Sequence, residues 1–188
     1  MDFSYLFCPF VYMKPLLFLL LILSAISFSL DKSKWLSIDQ LRNSYIERLL
    51  SYKGAPYAPY GIDTGISCST LVREALVEIS GLKEEARMGI LADPCSSKDL
   101  RDGCHEKLSV VIDAANLNSL NYDEIQPGDI AVVGNEIGIH TLAYIGDKKW
   151  IHADPIAEKV IVSDVRDNNG YWFNMKSRIL RWNALKGK

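Results

Sequence analysis

The sequence has almost no excess of charge of either sign: 21 lysines and arginines stand against 23 aspartates and glutamates, a formal net charge of −2 over 188 residues. A nucleic-acid binder normally carries a basic face or stripe, so the composition argues against that class. Internal repeats, low-complexity tracts and long charge runs are absent as well. What remains, once any leader is removed, is one ordinary globular domain. Histidine and cysteine are scarce, at three and four residues. No two pairs of them have metal-ligand spacing, and neither a metal nor a cofactor is expected.

A single long apolar run is present, PLLFLLLILSAISFSL from Pro15 to Leu30, uncharged and preceded by Met13 and Lys14. A short basic region, an apolar stretch and the small residues Ser27 and Ser29 read as a signal peptide, residues 1–29, with cleavage after Ser29 and residues 30–188 as the domain. Met13 stands where a natural start would. The alternative is an uncleaved membrane anchor, against which the run falls short of the ~20 residues a span needs. Removing residues 1–29 takes away Asp2 and Lys14, one charge of each sign, so the net charge stays at −2.

Export, to the periplasm or beyond, changes how the cysteines read. Cys8 falls in the leader. Cys95 and Cys104, nine apart in DPCSSKDLRDGC, are expected to form a local disulfide in an oxidising compartment. A metal site built from these two with His105 is the weaker alternative; His105 otherwise reads as a surface residue. Cys68 is then the unpaired thiol.

Cys68 opens the stretch SCSTLVREAL. Ser67 is a good N-cap, and Leu71, Val72, Ala75, Leu76 and Ile79 recur at helical spacing before Gly81 ends the helix. A thiol at that place faces the positive end of the helix dipole and unpaired backbone N–H groups, the setting in which cysteines act as nucleophiles. A lone cysteine is more often a small buried hydrophobe, so the reading turns on a base. A core-facing helix precedes it, SIDQLRNSYIERLLSYKG, with a capping-box pattern at Ser37 and Gln40. Strands are expected at Ile130–Val133, Ile139–Ile145, Trp150–Ala153, Val160–Val165 and Arg178–Trp182, while Leu108–Ile112 reads as strand or helix. Helices first and strands afterwards give an α+β class, N-terminal helices packed on an antiparallel sheet.

Two of the three histidines fall on one predicted hairpin. With a three-residue loop, Gly146–Lys148, Leu142 lies opposite His152 and His140 is its diagonal neighbour on the same face; a two-residue loop would put the rings on opposite faces. A thiol, an imidazole base and a second imidazole to orient it are then at hand. Trp150 alternates with His152 and would wall the cleft, while Trp172 and Trp182 read as core or sheet-covering aromatics.

At these residues the sequence resembles the NlpC family of papain-like cell-wall peptidases. Tyr52, Gly54, Pro56, Tyr57, Gly61, Gly65, Cys68 and Ser69 fall on matching positions of the approach to the nucleophile. IQPGDIAVV is similar to the family's proline–glycine–aspartate strand. IHTLAYIGDKKWIHADP carries His140 and His152 twelve residues apart, as the family spaces its base and its orienting residue. The resemblance implies a papain-like domain that hydrolyses an amide bond in the peptidoglycan stem peptide, often the one following D-glutamate. Cys68 would form a thioester, His140 would be the base and His152 would orient it. Tyr57 would assist the oxyanion, with Ser67 and Ser69 beside the nucleophile. The family usually has aspartate where Ser67 stands, which in some relatives helps hold a substrate ammonium, and glycine where Thr70 stands. A related thiol amidase or acyltransferase on a non-wall substrate, or a non-catalytic binding module, would use the same residues. A monomer is expected, with membrane contact only through a retained leader.

Overall fold

A computed structural model describes residues 36–59, 65–135, 139–167 and 170–187. The segment read as a leader, and Gly61, lie outside them. Helix α1 (Ile38–Ser51) starts at a reciprocal capping box. The Ser37 hydroxyl accepts from the Gln40 N–H, and the Gln40 side chain accepts from the Ser37 N–H at 2.8 Å. Leu41, Tyr45 and Leu49 are its buried stripe. Helix α2 (Cys68–Val77) is capped by Ser67 and buries Leu71, Val72, Ala75, Leu76 and Val77. The Tyr45 hydroxyl donates to the Val72 carbonyl at 2.9 Å and ties the two helices together. Helices α3 (Glu84–Ala92) and α4 (Ser97–Arg101) follow. The Cys95–Cys104 disulfide brackets α4.

The chain then turns to strands: β1 (Leu108–Ala114), β2 (Ile130–Val133), β3 (His140–Gly146), β4 (Lys149–Asp154), β5 (Lys159–Asp164) and β6 (Ser177–Trp182). Residues 108–112, open between strand and helix in the sequence, belong to β1. All pairings are antiparallel and the order is β1-β6-β2-β3-β4-β5. The sheet is covered on both faces. Ile130, Val132, Ala143, Ile151 and Leu180 pack into the core shared with α1 and α2. Ala131, Val133, Leu142, Tyr144, Trp150 and Ile179 pack on the other side with Leu117 and Phe173. That two-sided burial is why β2 is an unbroken apolar run rather than an alternating one.

Asp129 ends the Pro127–Gly128 turn before β2 and is buried. Arg181 of β6 donates two hydrogen bonds to its carboxylate, at 2.6 and 2.7 Å. Replacing Asp129 by alanine leaves a half-buried guanidinium without its partner, and a loss of roughly 3–5 kcal/mol in urea unfolding is expected.

The hairpin that carries both histidines differs from the expected one. Ala143 pairs with Ile151 and Tyr144 with Trp150, but Gly146, not Ile145, pairs with Lys149. The loop is therefore two residues, Asp147 and Lys148, with φ of 50° and 57°. Positive φ at both positions belongs to the primed turn whose twist suits a hairpin. Ile145 is the extra residue of a bulge, and it shifts the register back by one. Two-residue turn and bulge together put His140 and His152 on the same face.

Candidate active site

Cys68 is the first residue of α2 and is half-buried. Its Sγ lies 3.3 Å from the Ser97 hydroxyl. Ser97 accepts from the Thr141 hydroxyl at 2.8 Å, which leaves its own hydrogen to point at the sulfur. The thiol opens into a cleft of about 560 Å³ whose lining includes Tyr57, Ser69, Thr70, Arg73, Ser97 and Ile139. The Ser67 hydroxyl is occupied in capping, 3.2 Å from the Thr70 N–H and 2.7 Å from the Thr70 hydroxyl. Ser69 Oγ is 3.4 Å from it. Disulfide and helix cap act together here: Cys95 anchors the start of α4, and the Ser96–Asp99 capping box orients that turn, so that Ser97 meets Cys68.

The two imidazoles are in direct contact. His140 Nε2 lies 2.9 Å from His152 Nδ1, with the rings close to perpendicular. His152 Nε2 is 3.0 Å from the Ser163 hydroxyl of β5, and Asp154 Oδ2 is 3.7 Å from His152 Nδ1. Trp172 stacks on the His140 ring at 4.2 Å. The rings project from the sheet face opposite Thr141 and Ala143, because successive side chains on a strand alternate. Yet both neighbours of His140 reach the thiol. Ile139 lines the Cys68 cleft, and Thr141 is joined to the sulfur through Ser97.

The structure thus brings His140 and His152 together and brings Cys68 to the residues flanking His140. It does not form the expected direct thiol–imidazole bond: among the described residues no hydrogen bond joins Cys68 to either ring. The reason is local. Helix α2 packs on the Ala143 face of β3, and Ser97 holds the sulfur.

No protein-family model and no curated protein matches the sequence. Solved structures do match. The P60 domain of the M. avium subspecies paratuberculosis antigen MAP1204 is 20% identical, with a TM-score of 0.51 over 81% of this chain and 100% of that one. The peptidoglycan hydrolase RipB from Mycobacterium tuberculosis is 25% identical, with a TM-score of 0.52 over 77% of this chain and 65% of RipB. An N-acetylmuramoyl-L-alanine amidase from Bacteroides uniformis is 15% identical, with a TM-score of 0.56 over 76% of this chain and 99% of that one. The chain has the NlpC/p60 fold.

Within this NlpC/p60 domain the rings are electrostatically unusual. Burial, and then the neighbouring His152, hold His140 well below the ordinary histidine value. Burial brings His152 down to about 4 from 6.5, with Asp154 opposing the shift. Both are therefore neutral at pH 7. An imidazole that titrates lower in the folded than in the unfolded chain binds fewer protons when folded. Its stabilisation is complete above 6.5 and declines as the pH falls from there toward about 4. Between pH 7 and pH 5, His152 alone is expected to remove about 2 kcal/mol from the unfolding free energy. Urea titrations at the two values, followed by tryptophan fluorescence, check this; equal stabilities would contradict it.

Several contact residues escape a reading of the sequence. Ser97, Thr141 and Ser163 are ordinary serines and threonines on their own elements, with no local signal of what they touch. Trp150 does not wall the cleft. It is fully buried, with its Nε1 donating to the Tyr122 hydroxyl at 3.0 Å, and Trp172 is the residue that covers a histidine. The alternative metal site at His105 loses both thiolates to the disulfide, and His105 itself is exposed.

Proposed function

We propose that the chain is an exported cysteine hydrolase that cleaves an amide bond in peptidoglycan stem peptides. The observation that carries the reading is Cys68 at the first position of α2, half-buried at the mouth of a cleft, in a chain with the NlpC/p60 fold. If His140 Nε2–H donates to His152 Nδ1, then His152 Nε2–H donates to Ser163, and His140 Nδ1 keeps a free lone pair. That is the tautomer a base requires. Cys68 and the imidazole pair face opposite sides of β3, so proton transfer between them requires His140, the first residue of that strand, to turn toward the cleft when substrate binds.

The steps then follow. Cys68 Sγ gives its proton to His140 Nδ1 and attacks the carbonyl carbon. The Cys68 N–H and the Tyr57 hydroxyl stabilise the oxyanion, each donor of this kind contributing on the order of 100- to 1000-fold. His140 returns the proton to the leaving amine as the C–N bond breaks, which leaves a thioester that water hydrolyses with His140 again as base. His152 and Ser163 hold the His140 ring, and the stacked Trp172 covers its face. Peptidoglycan as substrate is supported by the fold shared with RipB, and export by the Cys95–Cys104 disulfide together with residues 1–29. Among the described residues no helix is long and apolar enough to cross a membrane.

Incubation of the protein with purified peptidoglycan, with released fragments identified by mass spectrometry, tests the proposal. New amino and carboxyl ends within the stem peptide are expected. Intact stems after exhaustive digestion would refute it.

A further inference from the structure

Ser97 has no part in the chemistry above, yet among the described residues its hydroxyl is the group that bonds Cys68 Sγ, at 3.3 Å. Thr141 Oγ1 donates to Ser97 Oγ at 2.8 Å, which directs the serine's own hydrogen at the sulfur. The place of Ser97 is tightly fixed. Cys95 and Cys104 clamp α4 from both ends. Just beyond α4 the backbone runs through four residues of positive φ in succession, Gly103, Cys104, His105 and Glu106, at 94°, 45°, 53° and 63°. Three of them are not glycine, and left-handed backbone is costly for a residue with a Cβ. Such strain persists where the surroundings hold it, and it clusters at functional sites. Here the disulfide holds it, and the segment it holds is the one that delivers Ser97 to the thiol.

A thiol sulfur is a weak acceptor, whereas a thiolate carries a full charge and a hydroxyl bond to it is charge-assisted. The same hydrogen bond is therefore stronger after the proton leaves than before. No imidazolium supplies that stabilisation, because both rings are neutral at pH 7 and face the other side of β3. We propose that Ser97 is a catalytic residue of this site: oriented by Thr141, its hydroxyl donates to Cys68 Sγ and stabilises the negative charge on sulfur as the proton leaves. The proposal deepens the hydrolase reading and rests on it only for the attack on substrate; the bond to sulfur does not. Ser97 remains a donor throughout and takes no proton, which goes to His140 Nδ1 as above.

The test uses the whole protein, disulfide intact, and no assumed substrate. The rate of Cys68 alkylation by iodoacetamide is followed by peptide mass mapping from mildly acid to alkaline pH. Losing one donor to a charged acceptor lowers the thiolate equilibrium by about tenfold. A thiolate without that donor is also the stronger nucleophile, with a Brønsted slope of about 0.4–0.5, so the two effects divide the factor. Ser97→Ala is expected to react about threefold more slowly at the acid end and about threefold faster at the alkaline end. Thr141→Val moves both ends in the same sense by less, and Ser97→Thr, which keeps a hydroxyl, restores most of the original profile. The charged and titratable groups around the thiol are the same in all three variants. They are Tyr57, Arg73 with Glu74 beside it, Lys98, and the histidine pair behind β3.

The crossing of the two profiles separates the bond from packing, because a loosened or a closed site changes the rate in one direction at every pH. An unchanged Ser97→Ala profile with a wild-type melting curve would overturn the proposal, and so would a rate raised or lowered uniformly. If Ser97→Ala does not fold, Thr141→Val decides by the same criterion. Failure to cut peptidoglycan removes the hydrolase reading and leaves a crossed profile standing. Cutting with profiles that do not cross removes Ser97 alone.

Discussion

Cys68→Ser is expected to lower the release of stem-peptide fragments by about 10⁴-fold or more while the protein stays folded. The hydroxyl that replaces the thiol differs by one atom. It keeps its place at the first position of α2 and can still bond Ser97, so the thermal melt moves by only a few degrees. The loss is chemical. A serine must surrender its proton to His140 during attack, and a neutral, buried imidazole tuned for a thiol is a poor partner for that. Activity within tenfold of the unaltered protein would remove Cys68 as the nucleophile. Modification by iodoacetamide no faster than an ordinary exposed thiol at neutral pH would do the same by a separate route.

The second large effect separates the two imidazoles. His140→Ala is expected to cost on the order of 10³- to 10⁴-fold in kcat, because it removes the group that accepts and returns the proton. His152→Asn should cost at most about 100-fold, since an amide oxygen can still accept from His140 Nε2 and hold the ring. The two melts distinguish chemistry from packing. His140→Ala opens a space beneath Trp172, whereas asparagine at position 152 keeps a polar group facing Ser163. Equal losses in the two variants, or a larger one at His152, would assign the base to the other ring and reverse the direction of the relay.

Much of this arrangement was legible residue by residue. Ser37 and Ser67 mark helix starts because a hydroxyl at an N-cap satisfies a backbone donor wherever the rest of the chain goes. The strand positions follow from runs such as IAVV, and the disulfide from two cysteines close in sequence behind a segment that reads as a leader. The loop was not legible, because turn length and bulge trade against each other. Gly146–Asp147–Lys148 fits a three-residue turn as well as a two-residue turn preceded by an extra Ile145, and both give the same histidine face. The right face was reached through the wrong loop.

Other features were decided only when the layers met. Which side of β3 receives α2 depends on side chains that are far apart in the chain, Ala143 and Ile151 on one hand and Leu71 and Val72 on the other. Periodicity states that a strand has two faces; it does not say which one a helix will cover. For the same reason Ser97 meets the sulfur, and Trp172 rather than Trp150 covers a histidine. By itself the sequence determined most of the helices and strands and offered Cys68, His140 and His152 as candidate reactive groups, because those depend on neighbours within a few residues. The tertiary structure decided which groups touch, because contact between distant segments is set by packing that no local pattern encodes.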